Sequence, residues 1–166
     1  MALLPITKGV DHEVLRTKSK LVKSIDKKIK KLVADMIETM FDAEGIGIAA
    51  PQVGVNLRIY IARLNVDTPH EVVVPMINPE LSLYGDITED EEGCLSLPKK
   101  FGIVPRHFEA TITFTDLKNN RITLNLSGLN ARIMQHEMDH LNAMLIADRF
   151  VGEATPTRRS SRGSKK

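Results

Sequence analysis

Two stretches of the chain place apolar residues at helical spacing. The first begins at Ser24 and ends near Gly45, which we expect to cap its C-terminal end. Its apolar positions are Ile25, Ile29, Leu32, Val33, Met36, Ile37 and Met40. The second follows Ser127, a residue type that favours helix N-termini, and its apolar stripe also contains His136 and His140. The first stretch predicts a long amphipathic helix, and the second predicts a buried helix whose histidines face the interior.

Short runs of β-branched and other apolar residues predict strands between these two helices. The runs cover residues 57–64, 72–77, 81–87, 110–115 and 121–126. A short polar segment separates the last two runs, which should therefore form a hairpin. The acidic run Glu89-Asp90-Glu91-Glu92 is of a type usually found in solvated turns. The chain shows no internal repeat and no domain boundary.

Length and composition indicate a globular protein. The 166 residues are enough for one domain with a substantial core, and 42% apolar with 27% charged residues is an ordinary balance. Residues 153–166 contain five Lys or Arg and one Glu, so without them the net charge falls from +2 to −2. We therefore predict one folded domain over residues 1–152 and a basic, disordered tail over residues 153–166. Since the body of the chain is not basic, we expect no specific nucleic-acid partner.

Five lysines lie on or just before the first predicted helix. They are Lys23, Lys27, Lys28, Lys30 and Lys31. Such a stripe could bind phosphate, but a solvated outer face is the more common reason for a charge run of this kind. The sequence alone favours the solvated face.

The sequence also bears on location. No apolar run approaches the roughly 20 residues of a membrane span, and the N-terminus lacks the features of a secretory signal. The single cysteine, Cys94, cannot form an internal disulfide, which suits a reducing compartment. We therefore expect a cytoplasmic protein with no membrane partner.

The most informative chemistry lies in residues 136–140, His-Glu-Met-Asp-His. Two histidines four apart on a helix project from one face, so that both rings can bind one metal ion, and Glu137 stands beside them as a candidate base. Ordinary core or surface histidines are the alternative. A catalytic metal site needs three protein ligands and one open position, so this pentapeptide supplies only two of the three.

The third ligand has few candidates. Downstream of His140 the acidic candidates are Asp148 and Glu153, and no further histidine follows. Upstream, Cys94 is the single soft ligand, and one thiolate with two imidazoles suits zinc or iron(II). Cys94 also follows a glycine, Gly93, which frees the backbone beside it.

A loop of small residues, GIGIAAPQ, covers residues 45–52. Its glycines and alanines allow a ligand or a strand to approach the backbone closely, and Gln52 adds a neutral amide at its end. It lacks the lysine of a phosphate-binding loop and the glycine spacing of a dinucleotide site. Taken alone, the pattern favours a tight packing turn over a substrate loop.

The sequence resembles the peptide deformylase family in three stretches that occur in the family's order. They are GIGIAAPQ at 45–52, EGCLS at 92–96 and QHEMDH at 135–140, and the similarity covers roughly residues 4 to 150. The chain departs from the family pattern at Lys99 and Lys100, where glycine is frequent after Pro98. It departs again at Ala143 and Ile146, which replace a usual Gly and Phe. These departures concern a loop near the substrate groove and the packing of the C-terminal segment.

The resemblance implies a fold and a reaction. The fold is α+β, with mixed or antiparallel β-sheets packed around a central metal-binding helix and with a long N-terminal amphipathic helix. The reaction is metal-dependent removal of the N-formyl group from the N-terminal methionine of newly synthesised polypeptides, which releases formate.

The resemblance also implies a metal centre. Cys94, His136 and His140 are its ligands, and the ion is Fe²⁺ by family likeness, although Zn²⁺ or Ni²⁺ would also fit. Glu137 is the general base that accepts a proton from water and later delivers it to the departing amine.

Further residues are assigned to the substrate. By resemblance, the Gln52 side chain and the backbone N–H of Leu95 donate hydrogen bonds to the formyl oxygen. The substrate-binding positions are Ile46, Gly47, Gly93, Leu129 and Ile133. The backbone of the first two would pair with an extended peptide, and the last two are candidates for an apolar methionine pocket.

The implied partners are N-formyl-methionyl nascent peptides. We also expect a monomer, with transient ribosomal contact through the basic tail. Two other interpretations remain open: a metallopeptidase that cleaves internal peptide bonds, and a structural metal site in a ribosome-associated protein. The second would need a fourth ligand, for which the spare candidate is His107.

Overall fold

The computed structural model describes residues 2–153, which form six strands, two α-helices and three short 3-10 helices. The strands are β1 (Gly47–Ala49), β2 (Ile59–Leu64), β3 (Val72–Cys94), β4 (Leu97–Thr115), β5 (Arg121–Ser127) and β6 (Gly152–Glu153). The helices are α1 (Lys27–Asp42) and α2 (Leu129–Leu141), and the 3-10 helices are Glu13–Arg16, Ala50–Val53 and Ile146–Asp148. The predicted α+β class is confirmed.

The strands form one sheet in which every pairing between strands is antiparallel. Its order is β1-β2-β3-β4-β5, and β6 pairs with β4. The prediction of mixed or antiparallel sheets therefore narrows to a single antiparallel sheet. The predicted hairpin is confirmed, because Thr113 of β4 lies opposite Thr123 of β5.

β3 and β4 form a long hairpin of 23 and 19 residues that carries several register shifts. The runs predicted at 72–77 and 81–87 belong to the single strand β3. The acidic run also lies in β3, with Glu91 opposite Ile103, so its prediction as a solvated turn is wrong. Local composition misses this pairing because the partner strand that satisfies the backbone follows later in the chain.

The helix predicted from Ser24 is α1, which begins at Lys27. Its N-cap is Asp26, whose side chain accepts a hydrogen bond from the N–H of Ile29 at 3.0 Å. The arm before it, residues 2–26, contains only the short 3-10 helix Glu13–Arg16, so the long N-terminal amphipathic helix implied by the resemblance is not supported at the N-terminus itself. The arm is held extended where the N–H of Arg58 donates to Lys20 O at 2.8 Å. After α1 it is Glu44, with φ 57°, rather than Gly45 that adopts the left-handed conformation.

α2 is the central helix of the fold. Ten of its 13 residues are buried, and it packs against β1, β2, β4 and β5. The prediction of Ser127 as its N-cap is wrong, because Ser127 is the last residue of β5 and the chain turns at Gly128, with φ 63°. The apolar side of α2 joins a core cluster that includes Tyr60, Phe114 and Met134. This packing leaves the histidine-bearing side of α2 facing the end of the long hairpin.

No helix within residues 2–153 has both the length and the apolarity needed to cross a membrane. The predicted disordered tail lies, apart from Glu153, outside the described residues.

Candidate active site

The three candidate ligands converge although they lie on two elements. Cys94 is the last residue of β3, and His136 and His140 lie one turn apart on α2. Their ligand atoms all lie within 4.8 Å of one another, and Cys94 Sγ lies 3.3 Å from His140 Nε2. One thiolate and two imidazoles at this separation fit a divalent zinc or iron(II) ion.

Hydrogen bonding fixes the orientation of His136. Its Nδ1 lies 3.0 Å from Glu92 Oε1, which turns Nε2 towards the other ligands. Burial favours the neutral ring, but the hydrogen bonds with Cys94 and Glu92 outweigh it and raise the pKa of His136 well above its ordinary value. For His140, burial and then the nearby His136 lower the pKa well below its ordinary value, so this ring stays neutral and able to bind a metal.

Glu92 is a central site residue that the sequence prediction missed. Its side chain is buried and accepts hydrogen bonds from Nε and Nη2 of Arg106, both at 2.9 Å, and from Nη1 of Arg132 at 2.6 Å. Burial alone would raise the pKa of Glu92, but the hydrogen bonds from His136 and Arg106 hold it well below its ordinary value. An acidic residue two positions before Cys94 in an alternating strand was the available signal.

Asp139 extends this network to the C-terminal segment. It accepts hydrogen bonds from Nη1 of Arg106 at 2.6 Å and from Nε and Nη2 of Arg149 at 2.6 and 2.8 Å. Two arginine side chains bind this one carboxylate. Hydrogen bonds therefore run without a break from Arg149 through Asp139, Arg106 and Glu92 to His136.

Glu137 lies beside the ligands and is buried. Its Oε1 lies 4.0 Å from His136 Nε2, and its Oε2 has no hydrogen-bond partner among the described residues. Burial raises the pKa of Glu137 to about 7, which brings it near the pH at which a general base works best. Gly47 lies against it, since a Cβ on that glycine would lie 2.6 Å from Glu137 Oε1. The close approach explains one glycine of the small-residue loop.

The amide of Gln52 has a defined orientation. Its Oε1 accepts the N–H of Ala49 at 2.9 Å, so Nε2 is the donor that points to Cys94 Sγ at 3.5 Å and Ser96 Oγ at 3.3 Å. Gln52 lies in the 3-10 helix Ala50–Val53 and is only 1% exposed. Leu95 lies in the turn between β3 and β4, directly after Cys94.

A cavity of about 430 Å³ lies over these groups. Ten of the eleven residues that the sequence analysis assigned to the site line it: Ile46, Gly47, Gln52, Gly93, Cys94, Leu95, Leu129, Ile133, His136 and Glu137. The eleventh, His140, does not line the cavity and is 1% exposed. Gly93 packs on Phe101, since a Cβ there would lie 2.6 Å from the ring. Residues far apart in the sequence therefore meet around one cavity.

Two of the departures from the family pattern have a backbone consequence. Lys99 has φ 65° and Ala143 has φ 62°, both in the left-handed region that favours glycine. Lys99 lies near the start of β4, and Ala143 follows α2. The chain therefore keeps a glycine-type conformation at both positions with residues that adopt it at some cost.

Comparison with known proteins agrees with this geometry. Residues 4–155 match the family described as Polypeptide deformylase. A peptide deformylase of Caldicellulosiruptor bescii is 39% identical over 168 aligned residues, which cover 99% of this chain and 98% of that protein.

Solved structures are also similar. The crystal structure of peptide deformylase from Thermotoga maritima has a TM-score of 0.84 and 35% identity, and the match covers 90% of this chain and 99% of that one. A class I type b peptide deformylase from Acinetobacter baumannii with Met-Ala-Ser bound has a TM-score of 0.82 and 31% identity, with 90% and 100% covered. The chain belongs to the polypeptide deformylase family, whose members are metal-dependent hydrolases that remove the N-formyl group from nascent polypeptides.

Proposed function

We propose that Cys94, His136 and His140 bind the metal ion on which the deformylase reaction of this chain depends. The observation that carries this proposal is the convergence of their ligand atoms within 4.8 Å of one another, with Cys94 and His136 lining the cavity. Glu92 supports the proposal because it holds His136 with Nε2 directed at the other two ligands. A divalent cation held there supplies Lewis acidity and lowers the pKa of a water molecule.

We propose Fe²⁺ as the physiological ion, with Zn²⁺ or Ni²⁺ as substitutes. A mixed thiolate and imidazole set is compatible with all three ions, and family likeness favours iron. Metal analysis of protein purified without air tests this assignment. Iron at about one equivalent per chain is expected, whereas zinc or nickel in its place would contradict it.

Glu137 is the proposed general base. It is buried beside His136 with one carboxylate oxygen unpartnered among the described residues, so that oxygen is available to accept a proton from water. The same carboxyl then delivers the proton to the departing amine, which leaves as a neutral group. Its elevated pKa suits both steps.

Gln52 and Leu95 are the proposed donors to the formyl oxygen. Negative charge develops on that oxygen during attack, and donors that are already oriented stabilise it without reorganisation. Ala49 holds the Gln52 amide so that Nε2 points into the site. The Leu95 N–H follows Cys94 directly and is the proposed second donor.

The substrate is proposed to bind as an added strand on β1, which is an edge strand of the sheet. The N–H of Arg63 in β2 donates to Ile46 O at 2.9 Å. Because successive residues of a strand direct their backbone N–H and C=O groups to opposite sides, those of Gly47 point away from β2. Gly47 therefore offers backbone pairing. Ile46, which was also expected to pair through its backbone, has its carbonyl bonded to Arg63 and offers its exposed side chain instead. Leu129 and Ile133 on the cavity wall are the proposed contacts for methionine.

We further propose that residues 1–152 form one catalytic domain that acts as a monomer in the cytoplasm. Its partners would be N-formyl-methionyl nascent peptides and, through basic residues 153–166, the ribosome. A single cysteine, assigned here to a metal, supports a reducing compartment. The proposed role of the tail rests on its composition.

A peptide panel with matched histidine variants tests the proposal. The wild type should release formate from formyl-Met-Ala-Ser and leave longer peptides with free amino ends intact. Internal cleavage of those peptides without formate release would instead indicate a peptidase. His140→Ala should lose both metal and formate release, whereas His70→Ala, a change at an exposed histidine, should keep both. Metal retention by His140→Ala would contradict the ligand assignment.

A further inference from the structure

The charge of the folded body is strongly segregated. Residues 18–31 contain seven lysines and one aspartate, a net charge of +6. The remainder of residues 1–152 contains 11 Lys or Arg and 19 Asp or Glu, a net charge of −8. All seven lysines are exposed, and we call them the basic face: Lys18, Lys20, Lys23, Lys27, Lys28, Lys30 and Lys31. Such segregation creates a strong local positive potential on a body that is acidic elsewhere.

The lysines of the basic face that lie in α1 are also placed unfavourably for the stability of that helix. The first turn of α1 has lysines and no acidic residue, and its last turn has no basic residue. A helix dipole favours the reverse arrangement, and lysines three or four positions apart repel one another. Among residues 2–153 only Lys31 of this group has an acidic partner, Asp35, at 2.7 Å. A sequence that breaks a local folding rule without a structural gain marks a candidate functional surface.

The structure distinguishes between anionic partners. The apolar side of α1 is buried, with Val33, Met36 and Met40 in a core cluster, so it cannot insert into a lipid surface. Leu21 is the one large apolar residue exposed within residues 18–31. A face made only of lysine ammonium groups fits a phosphate backbone contacted without base reading.

We propose that the basic face binds the phosphate backbone of RNA. The choice of RNA over other polyanions rests on the deformylase function, because nascent polypeptides are made on an RNA-rich particle. The contact is electrostatic and independent of nucleotide sequence, and it is separate from the cavity, since none of the seven lysines lines it. RNA binding should therefore leave the turnover of a small formyl peptide unchanged.

The test compares three triple variants of the full chain that change charge equally. The first is Lys27→Glu/Lys28→Glu/Lys30→Glu, which places acids in the first turn of α1 and should fold at least as stably as the wild type. The second, Lys8→Glu/Lys100→Glu/Lys118→Glu, changes exposed lysines elsewhere. The third is Arg158→Glu/Arg159→Glu/Arg162→Glu. Binding of a labelled RNA hairpin is measured by fluorescence anisotropy over a salt series, without substrate.

The first variant should lose about tenfold or more in RNA affinity, and the slope of log K against log salt should become shallower by about 2. The second should change affinity by less than about threefold, and the third, which alters the tail proposed to contact the ribosome, should lose less affinity than the first. Equal losses in all three, loss in the tail variant alone, or no binding by the wild type would each overturn the proposal. Stronger binding to phosphatidylserine vesicles than to RNA would also overturn it. Formate release, assayed separately, reports on the deformylase function and not on this face.

Discussion

Glu137 combines burial, an elevated pKa and a position beside a candidate metal ligand. It must be ionised to accept a proton, so kcat/KM should rise with pH along an acid limb. Burial raises its pKa from 4.5 to about 7, and a bound cation lowers it again, so the apparent pKa of this limb should lie between those values. A pH profile of formate release measures it. A rate that is flat from about pH 4 to 8 would contradict the role of Glu137.

Gly47 has a steric role at the same carboxylate. In Gly47→Ala the new Cβ would lie 2.6 Å from Glu137 Oε1, so the carboxylate must move. We expect kcat/KM to fall about 100-fold, because small displacements of a catalytic group are costly. Gly152→Ala is the matched control, since its Cβ would meet nothing closer than 3.9 Å. Equal activity of the two variants would show that Glu137 tolerates the displacement.

Whether the place of a residue in the site could be predicted depended on how far along the chain its partners lie. The positions of His136, Glu137 and His140 could be predicted because a helix brings residues four apart to one face. Cys94 could be chosen because few other ligands exist in the sequence. Glu92 was missed because its partners, among them Arg106, lie far along the chain, and no local pattern reveals a buried ion pair.

At the scale of elements, β3, β4 and α2 are joined by buried charges as well as by the core. Glu92 of β3, Arg106 of β4 and both Arg132 and Asp139 of α2 are each less than 10% exposed. A buried charge is costly without its partner, so removal of one member should disturb the others. The network therefore links the backbone around Cys94 to the helix that carries the histidines.

Arg149 is the outer member of this network, and it tests whether the C-terminal segment supports metal binding. Arg149→Met removes both hydrogen bonds to Asp139 and should speed metal loss to a chelator about threefold to tenfold, below the 10- to 100-fold effect of direct partners of ligands. Arg121→Met is the matched control, since the two arginine side chains are 39% and 40% exposed. Equal rates of metal loss in the two variants would show that the hydrogen bonds between Arg149 and Asp139 do not stabilise metal binding.

The elements themselves were only partly predictable. Periodicity located α1 and α2, but their ends depend on single residues: Asp26 caps one, and Gly128 rather than Ser127 turns into the other. The full length of β3 could not be predicted, because its acidic part is stabilised by pairing with β4. Strand pairing is a property of two segments and leaves little trace in either one.

For the whole molecule, an ion pair joins the N-terminal arm to the C-terminal end of the described chain. Arg16 in the N-terminal arm donates to Asp148 through Nη1 at 2.5 Å and Nη2 at 3.1 Å. Asp148 precedes Arg149, so the same short segment contacts both the arm and the buried network. The hydrogen bond from Arg16 is the largest cause of the lowered pKa of Asp148.

This ion pair gives a pH-dependent prediction for stability. Because the folded-state pKa of Asp148 lies below its ordinary value of 3.8, its contribution is complete above that pH and is lost as pH falls through the folded-state value. Asp148→Asn should lower the free energy of unfolding by about 1 kcal/mol or less at neutral pH. The difference should shrink in acid. Urea unfolding at neutral pH and in acid measures this difference in free energy, and Asp86→Asn, at an exposed site, is the control. A difference that grows in acid would contradict the assignment.

The proposed division of roles gives the proton transfers to Glu137 and the metal to Cys94, His136 and His140. The most direct measurement is formate release from formyl-Met-Ala-Ser by Glu137→Gln, with metal content determined on the same sample. The substitution keeps the shape of the side chain and removes its basicity, so metal should remain at the wild-type level while kcat falls about 1,000-fold. Activity within about tenfold of the wild type, or loss of the metal together with activity, would contradict this division of roles.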